Sequence, residues 1–414
     1  MGGFVDKAVL IDIVEPDCTK KETELRLEEL NSLVKTYGSI SIENLVQKRA
    51  QPAYKTYVGT GKLEEMLDSF ESFDELDVII INNILKPRQI YNLEEFCTNY
   101  QINKRKEDRE RFEEEGSSKT SVSRWENPKK IKVWDRVDLI LKIFDKHAST
   151  VEAKLQIELA SIKHMGPRIF GMGLELSRQA GGIGTVGAGE TNTQMMKRHL
   201  QKRQKLIEKK IQTYSEVQRR HRDSRRSKNF KTIALVGYTN AGKSTLKRSL
   251  TKKQNTYVAD ELFATLDSTV GELFLPQSRK KMIVADTIGF IQDLPPDLID
   301  AFKSTLAEII EADIIFHVID ISDENIFLKI QVVEDIMAQI GVSEDKDKYY
   351  IFNKMDKLDR LVEEGEMTFE KKEELIFELK ARFSEYKPIF ISATDKSSLQ
   401  ELIADMDVKA LAAY

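Results

Sequence analysis

The sequence predicts an α/β protein: a doubly wound nucleotide-binding domain over residues 229–414, a small α/β domain over 1–100, and a long helical hairpin over 132–228. Three observations carry this. From Phe230 onward, short apolar runs alternate with helix-compatible stretches, the pattern of a sheet covered by helices on both faces. The first run, Thr232–Val236, leads into Gly237-Tyr-Thr-Asn-Ala-Gly-Lys-Ser244, which fits the phosphate-loop pattern G-x-x-x-x-G-K-[ST] between a strand and a helix. Apolar residues three and four apart run from Val137 to Ile162, and a second helical stretch follows, as two paired helices require.

Along the first domain, Ala8–Val14 reads as a strand, Lys21–Tyr37 as a helix, and Gly59-Thr-Gly-Lys62 as a turn before the helix Leu63–Phe70. Asp77–Ile81 is a buried strand, and a helix runs from Pro87 to Tyr100. Residues 101–131 form an insert, nearly all charge over Lys104–Glu115 and then Ser-rich, which predicts a solvated helix and a flexible linker. One long helix with an apolar seam is expected over 135–165. Gly166–Gly189 carries eight glycines and is expected as a mobile loop; its G-x-G-x-x-G resemblance lacks the preceding strand of a dinucleotide site. Between Lys197 and Lys231, fourteen Lys or Arg stand against three acidic residues, the electrostatic footprint of a phosphate-backbone partner, here RNA.

Composition excludes other classes. Two cysteines, Cys18 and Cys97, make no disulfide framework and fit a reducing cytosol. The N-terminus lacks the apolar core of a secretion signal and the Ser/Thr of a myristoylation signal. No apolar run reaches the ~20 residues that span a bilayer. A cytoplasmic protein without stable membrane insertion is expected.

The chemistry lies in the third domain. Gly237, Tyr238, Thr239, Asn240, Ala241, Gly242, Lys243, Ser244 and Thr245 would wrap phosphates at a helix N-terminus. Lys243 would reach the β- and γ-phosphates, and the Ser244 hydroxyl would hold Mg²⁺. Asp286, Thr287, Ile288 and Gly289 follow an apolar strand; Asp286 can support the Mg²⁺ shell, and the Gly289 N–H can contact a γ-phosphate. Asn353, Lys354, Met355 and Asp356 also end a strand. A carboxylate at Asp356 accepts from guanine N1–H and N2–H₂, whereas adenine would leave it unpaired at a cost of a few kcal/mol. Ser392, Ala393 and Thr394 are placed for a backbone contact to guanine O6. Together these motifs describe a Ras-like GTPase domain. Phe290 stands where many GTPases have the glutamine that orients the attacking water, so a low unstimulated rate is expected. Asn240 could ligate K⁺ near the phosphates, which makes K⁺ a candidate second cofactor beside Mg²⁺.

At these residues the chain resembles the HflX GTPases of the Obg-related group. The resemblance rests on Gly237–Thr245, Phe263-Ala-Thr-Leu-Asp267 and Asp286-Thr-Ile-Gly-Phe-Ile291. Upstream it rests on Gln51-Pro52, Gly59–Lys62, Asp135-Arg-Val-Asp138, Leu155-Gln-Ile-Glu-Leu-Ala160, Pro167-Arg168 and Gly189-Glu-Thr191. It implies a mobile nucleotide-sensing segment of Phe263, Ala264, Thr265, Leu266 and Asp267, and it selects Thr265, ahead of Thr256 and Thr269, as the threonine that closes on Mg²⁺ and γ-phosphate. On that basis the catalytic candidates are Lys243, Thr265, Gly289 and Asn240, and the metal ligands are Ser244 and Thr265. The resemblance further implies GTP hydrolysis coupled to binding of the ribosome, chiefly the large subunit and its rRNA, with splitting or recycling of stalled ribosomes. A monomer is expected. The chain departs from the family pattern at Asn192-Thr-Gln194 and Ser268-Thr-Val270, and the extra C-terminal domain of many bacterial members is expected to be absent. Two alternatives stay open: a nucleotide-gated RNA or ribosome-assembly factor in which hydrolysis is secondary, and an ATP-driven RNA remodeller, against which Asn353–Asp356 argues.

Overall fold

The computed structural model describes residues 6–70, 75–114, 128–179, 188–228, 230–251, 263, 269–292 and 295–412. The chain forms two compact units, Met1–Lys146 with Ala160–Leu206, and His147–Leu159 with Ile207–Tyr414.

The first unit is built from β1 (Lys7–Val14), α1 (Lys20–Tyr37), β2 (Ile40–Lys48), α2 (Thr60–Asp68), β3 (Val78–Ile81), α3 (Pro87–Glu114), β4 (Lys132–Asp135) and α4 (Arg136–His147). Its four strands are all parallel, in the order β2-β1-β3-β4. β1 is buried at every position after Lys7, because helices cover both faces of a parallel sheet. α1 starts at a capping box in which Thr19 and Glu22 satisfy each other's backbone N–H.

Sequence reasoning missed two strands here. β2 is an edge strand with one fully buried position, Leu45, among nine, so it lacks an apolar signature. β4 has four residues, too few to show a period, and it follows the charged, Ser-rich insert. The first sheet thus extends past residue 100 to Asp135.

Two further expectations need correction. The single helix over 135–165 is two helices, α4 and then α5 (Val151–Gln179). Thr150 interrupts them: its hydroxyl accepts from the Ala153 N–H at 3.1 Å, an N-terminal cap that starts a new helix. Val151, which falls within the apolar spacing from Val137 to Ile162, is exposed. The loop expected over 166–189 is also shorter. α5 continues through Gly166, Pro167, Gly171 and Gly173 to Gln179, and α6 begins at Ala188 and runs to Ser227. Good helix formers interleave with the breakers there, among them Arg168, Met172, Leu174, Glu175 and Leu176. Residues 180–187, with most of the remaining glycines, and residues 115–127 of the insert lie outside the described residues.

The second unit continues with β5 (Thr232–Val236), α7 (Lys243–Leu250), β6 (Thr269–Phe274), β7 (Lys281–Asp286), α8 (Pro296–Ala301), α9 (Lys303–Glu311), β8 (Ile314–Asp320), α10 (Ile326–Gln339), β9 (Asp347–Asn353), α11 (Met355–Glu363), α12 (Phe369–Arg382), β10 (Ile389–Phe390) and α13 (Gln400–Ala412). Its sheet has the order β10-β9-β8-β5-β7-β6, with β6 antiparallel and the other pairings parallel. Alternate residues of β9 feed two cores. Tyr349 and Ile351 pack with Leu246 and Leu250 of α7 and Leu402 and Met406 of α13. Tyr350 and Phe352 pack with Ile330, Leu358, Leu379 and Phe383 on the other face. The strand order reverses beside β5, the point at which open α/β sheets bind ligands at the carboxyl ends of their strands. Among the described residues, no helix is long and apolar enough to cross a membrane.

Candidate functional site

The loops after β5, β7, β9 and β10 meet at the carboxyl end of the second sheet. The loop Gly237–Gly242 leaves β5 and turns sharply into α7. Gly237 has φ +151° and Gly242 φ +95°. A Cβ on Gly237 would stand 2.2 Å from the Val318 carbonyl oxygen, and one on Gly242 would stand 2.2 Å from Asn353 Nδ2, so both positions require glycine. Asn240 also lies in the left-handed region, at φ +61°, which asparagine tolerates better than most residues. Thr239 is buried, and Ser244 and Thr245 are half-buried in the first turn of α7.

Lys243 folds its ammonium back over the loop, donating to the Gly237 carbonyl at 3.0 Å and the Tyr238 carbonyl at 2.8 Å. Burial lowers its pKa to about 8, although the Asp286 carboxylate opposes that shift. Asp286 ends β7 and is wholly buried. Thr287 donates to the Leu235 carbonyl at 2.6 Å, tying this loop to β5, and Ile288 is buried. At Gly289 an added Cβ would lie 3.1 Å from Lys243 Nζ, so this backbone passes directly beside the ammonium. Phe290 has a structural function: its N–H donates to Gly237 O at 3.1 Å, its carbonyl accepts from Thr239 N–H at 2.8 Å, and its ring is wholly buried.

Asn353 joins the remaining loops. Its Nδ2 donates to the Ala241 carbonyl at 2.9 Å, and its Oδ1 accepts from the Ala393 N–H at 2.8 Å. Lys354 turns the chain with φ +70°, and its ammonium pairs with Asp320 at 2.8 Å. Met355 packs at the edge of the adjoining core. Asp356 sits in the first turn of α11 and is partly exposed; it accepts from Ser392 Oγ at 2.5 Å and from Arg360 at 3.3 Å. Ser392 Oγ also lies 2.9 Å from Thr394 Oγ1. Phe263 is buried with φ +58°. Ala264, Thr265, Leu266 and Asp267 lie outside the described residues.

Sequence reasoning overlooked two features. Asp320 at the end of β8 positions Lys354. The end of the basic helix is also engaged within the second unit: Arg222 grips Glu311 through two bonds of 2.9 and 3.0 Å, Arg225 reaches Glu308 at 2.8 Å, and Arg226 donates to the Glu311 carbonyl. The acidic spacing Glu308-Ile-Ile-Glu311 on α9 was the available signal. Two carboxylates offset two of these three arginine charges, and exposed positive charge continues along the earlier turns of α6, at residues such as Lys202, Lys205, Lys209 and Lys210.

The lowered pKa of Lys243 has a measurable consequence. An anionic phosphate beside the ammonium favours its charged form and raises the pKa. Between pH about 8 and the bound-state pKa, the free protein has lost the proton and the complex holds it. Nucleotide binding there should take up a proton, and affinity should fall as pH rises through about 8. Calorimetry in buffers of different ionisation enthalpy checks this: uptake is expected on the alkaline side and none near neutrality.

Comparisons with known proteins agree in order along the chain. Residues 24–107 match the GTP-binding GTPase N-terminal family, residues 147–226 the GTP-binding GTPase middle region, and residues 232–354 the 50S ribosome-binding GTPase family. GTPase HflX of Caldanaerobacter subterraneus subsp. tengcongensis is 39% identical over 86% of this chain and 73% of its own length. GTPase HflX of Flavobacterium psychrophilum is 32% identical over 96% of this chain and 88% of its own. Among solved structures, the SsGBP–GDP complex aligns over 99% of both chains at 25% identity and a TM-score of 0.49. By its relatives, each above 30% identity over most of their lengths, the chain belongs to the HflX family of GTPases.

Proposed function

We propose that this chain binds guanine nucleotide at the carboxyl end of the six-stranded sheet, hydrolyses GTP there, and uses the nucleotide state to control association with the large ribosomal subunit. The observation that carries the reading is Asn353, whose amide links the phosphate loop to the Ser392–Thr394 loop. One residue thereby couples the ends that would hold phosphate and base. Lys243 and the loop N–H groups would hold the phosphates, Asp356 would read guanine N1–H and N2–H₂, and the Gly289 N–H would meet the γ-phosphate.

The residues fit Mg²⁺. The Ser244 hydroxyl and the buried Asp286 carboxylate supply hard oxygen donors, and Asp286 is close enough to Lys243 to act on its charge. When bound, the ion neutralises charge on the β- and γ-phosphates; Thr265 would complete the set. Phe290 is committed to holding the loops together, so the water-orienting group must come from elsewhere. Asn240, held in the left-handed region, is the proposed K⁺ ligand. Turnover is expected to be faster in K⁺ than in Na⁺ buffer, and equal rates would remove the proposal.

The ribosomal part is supported by the excess positive charge on the early turns of α6 and by the match of residues 232–354 to a family described as 50S ribosome-binding. The proposal includes release or splitting of stalled ribosomes by a cytoplasmic monomer. Co-sedimentation with large subunits tests it. Binding should be stronger with a non-hydrolysable GTP analogue than with GDP, and it should weaken steeply with salt, as counterion release requires. Sedimentation indifferent to nucleotide would refute the coupling. A gated binding factor with secondary hydrolysis is the second reading, favoured by Phe290 alone; recycling off subunits by a non-hydrolysing variant would select it.

A further inference from the structure

The first unit carries a polar cluster to which no role in GTP chemistry falls. Asp135 ends β4, Asp138 lies in the first turn of α4, and His164 projects from α5. We propose that Asp135, Asp138 and His164 bind a first-row divalent metal ion, with Zn²⁺ preferred.

The three ligand atoms all lie within 4.8 Å of one another. His164 Nε2 is 3.0 Å from Asp135 Oδ2 and 4.0 Å from Asp138 Oδ1. Donors held at ~2.0–2.1 Å around a tetrahedral ion stand about 3.4 Å apart. The cluster is near that scale, and changes in separation of no more than about 1.4 Å would close it. Asp135 is aimed by the backbone: Leu85 N–H donates to Oδ2 at 3.1 Å, and Asp138 N–H donates to Oδ1 at 2.8 Å. Each Asp135 oxygen accepts one of these backbone N–H groups, and its second lone pair faces His164 Nε2 and would be shared with a metal.

Charge points the same way. Asp135 and Asp138 are both buried, and two carboxylates with a neutral imidazole are the complement of one divalent cation. The imidazole selects against Mg²⁺ and Ca²⁺, which prefer all-oxygen shells, and the Irving–Williams order places Zn²⁺ above Mn²⁺ and Fe²⁺. Three protein ligands leave a position for water. The ion would tie α5 to the carboxyl end of β4 and the start of α4, the edge at which parallel sheets hold ligands.

The test uses the full chain, stripped with chelator and then saturated with GDP and Mg²⁺ so that the phosphate-loop site is filled. Zn²⁺ is titrated by calorimetry, and Co²⁺ by its visible absorption. One equivalent of Zn²⁺ is expected, with Co²⁺ bands that Zn²⁺ displaces. His164→Ala and Asp138→Asn should each weaken Zn²⁺ by at least about tenfold, the scale that loss of even an outer-shell partner produces, while GDP affinity is unchanged. Failure of the wild-type chain to bind Zn²⁺ overturns the proposal, whether or not a variant folds. So does undiminished binding by His164→Ala, which would leave an imidazole–carboxylate hydrogen bond as the whole function of the cluster.

Discussion

Lys243→Ala is expected to lower the rate of GTP hydrolysis by about a thousandfold, the loss that follows removal of one preorganised charge contact in a shielded site. The preorganisation is visible in the ammonium, which is buried and held by the Gly237 and Tyr238 carbonyls. It has already left water, so it needs no further reorganisation when charge develops on the phosphates. Asp286 keeps the charged form accessible despite burial. Removing the side chain also leaves the two loop carbonyls without this donor, so nucleotide affinity should drop as well, by less than the rate. Single-turnover hydrolysis and fluorescent-GDP binding separate the two effects. If the variant keeps more than about a tenth of the rate, which corresponds to under ~1.4 kcal/mol, transition-state charge is being stabilised by another group, and the role given to Lys243 is wrong.

The second unit was legible in the sequence because its signals are local. Thr232–Val236, Gly237–Ser244 and the following helix carry strand, turn and helix information within twenty residues. The loops after β7 and β9 each sit at the end of an apolar run that is largely buried. In the first unit the three helices that begin near Lys20, Thr60 and Pro87 were legible, but of its strands only the central two were. The edge strand Ile40–Lys48 is half-exposed and largely polar, so burial left no pattern, and Lys132–Asp135 gains its strand character from pairing with Val78–Ile81, a partner distant in sequence. The division at Thr150 turned on one hydroxyl accepting one N–H, a local alternative to continued helix that apolar spacing does not register. The basic helix shows the opposite failure. Its charge was read correctly as a count, but a count is silent about partners, and Glu308 and Glu311 lie more than eighty residues further along the chain. Within the nucleotide site, the residue types were legible and their mutual bonds were not. Asn353 as the link between Ala241 and Ala393 is a tertiary fact.

Asp356→Asn is expected to cost GTP at least about a hundredfold in affinity and to invert the preference between GTP and XTP, because a site built on hydrogen bonds discriminates by orders of magnitude when one partner is mismatched. Guanine presents two donors, N1–H and N2–H₂, and a carboxylate accepts both with charge-assisted bonds. Asp356 is set for this by its position in the first turn of α11, where the helix N-terminus favours an anion. Ser392 Oγ holds one of its oxygens at 2.5 Å, and Ser392 can turn to Thr394 Oγ1, 2.9 Å away, when a base arrives. An amide keeps one acceptor and turns a donor toward the guanine amine, donor against donor. Xanthine carries a carbonyl at C2, which that donor can satisfy. The exchange changes neither side-chain size nor the helix, so Asn353 should still join the phosphate loop to the Ser392 loop and the fold should be retained. Competition of GTP and XTP for a fluorescent nucleotide reads the ratio directly. A variant that still prefers GTP as strongly as wild type would show that Asp356 does not read the base. The partly exposed carboxylate would then serve only its bonds to Ser392 and Arg360, and guanine selectivity would have to come from the backbone at Ala393.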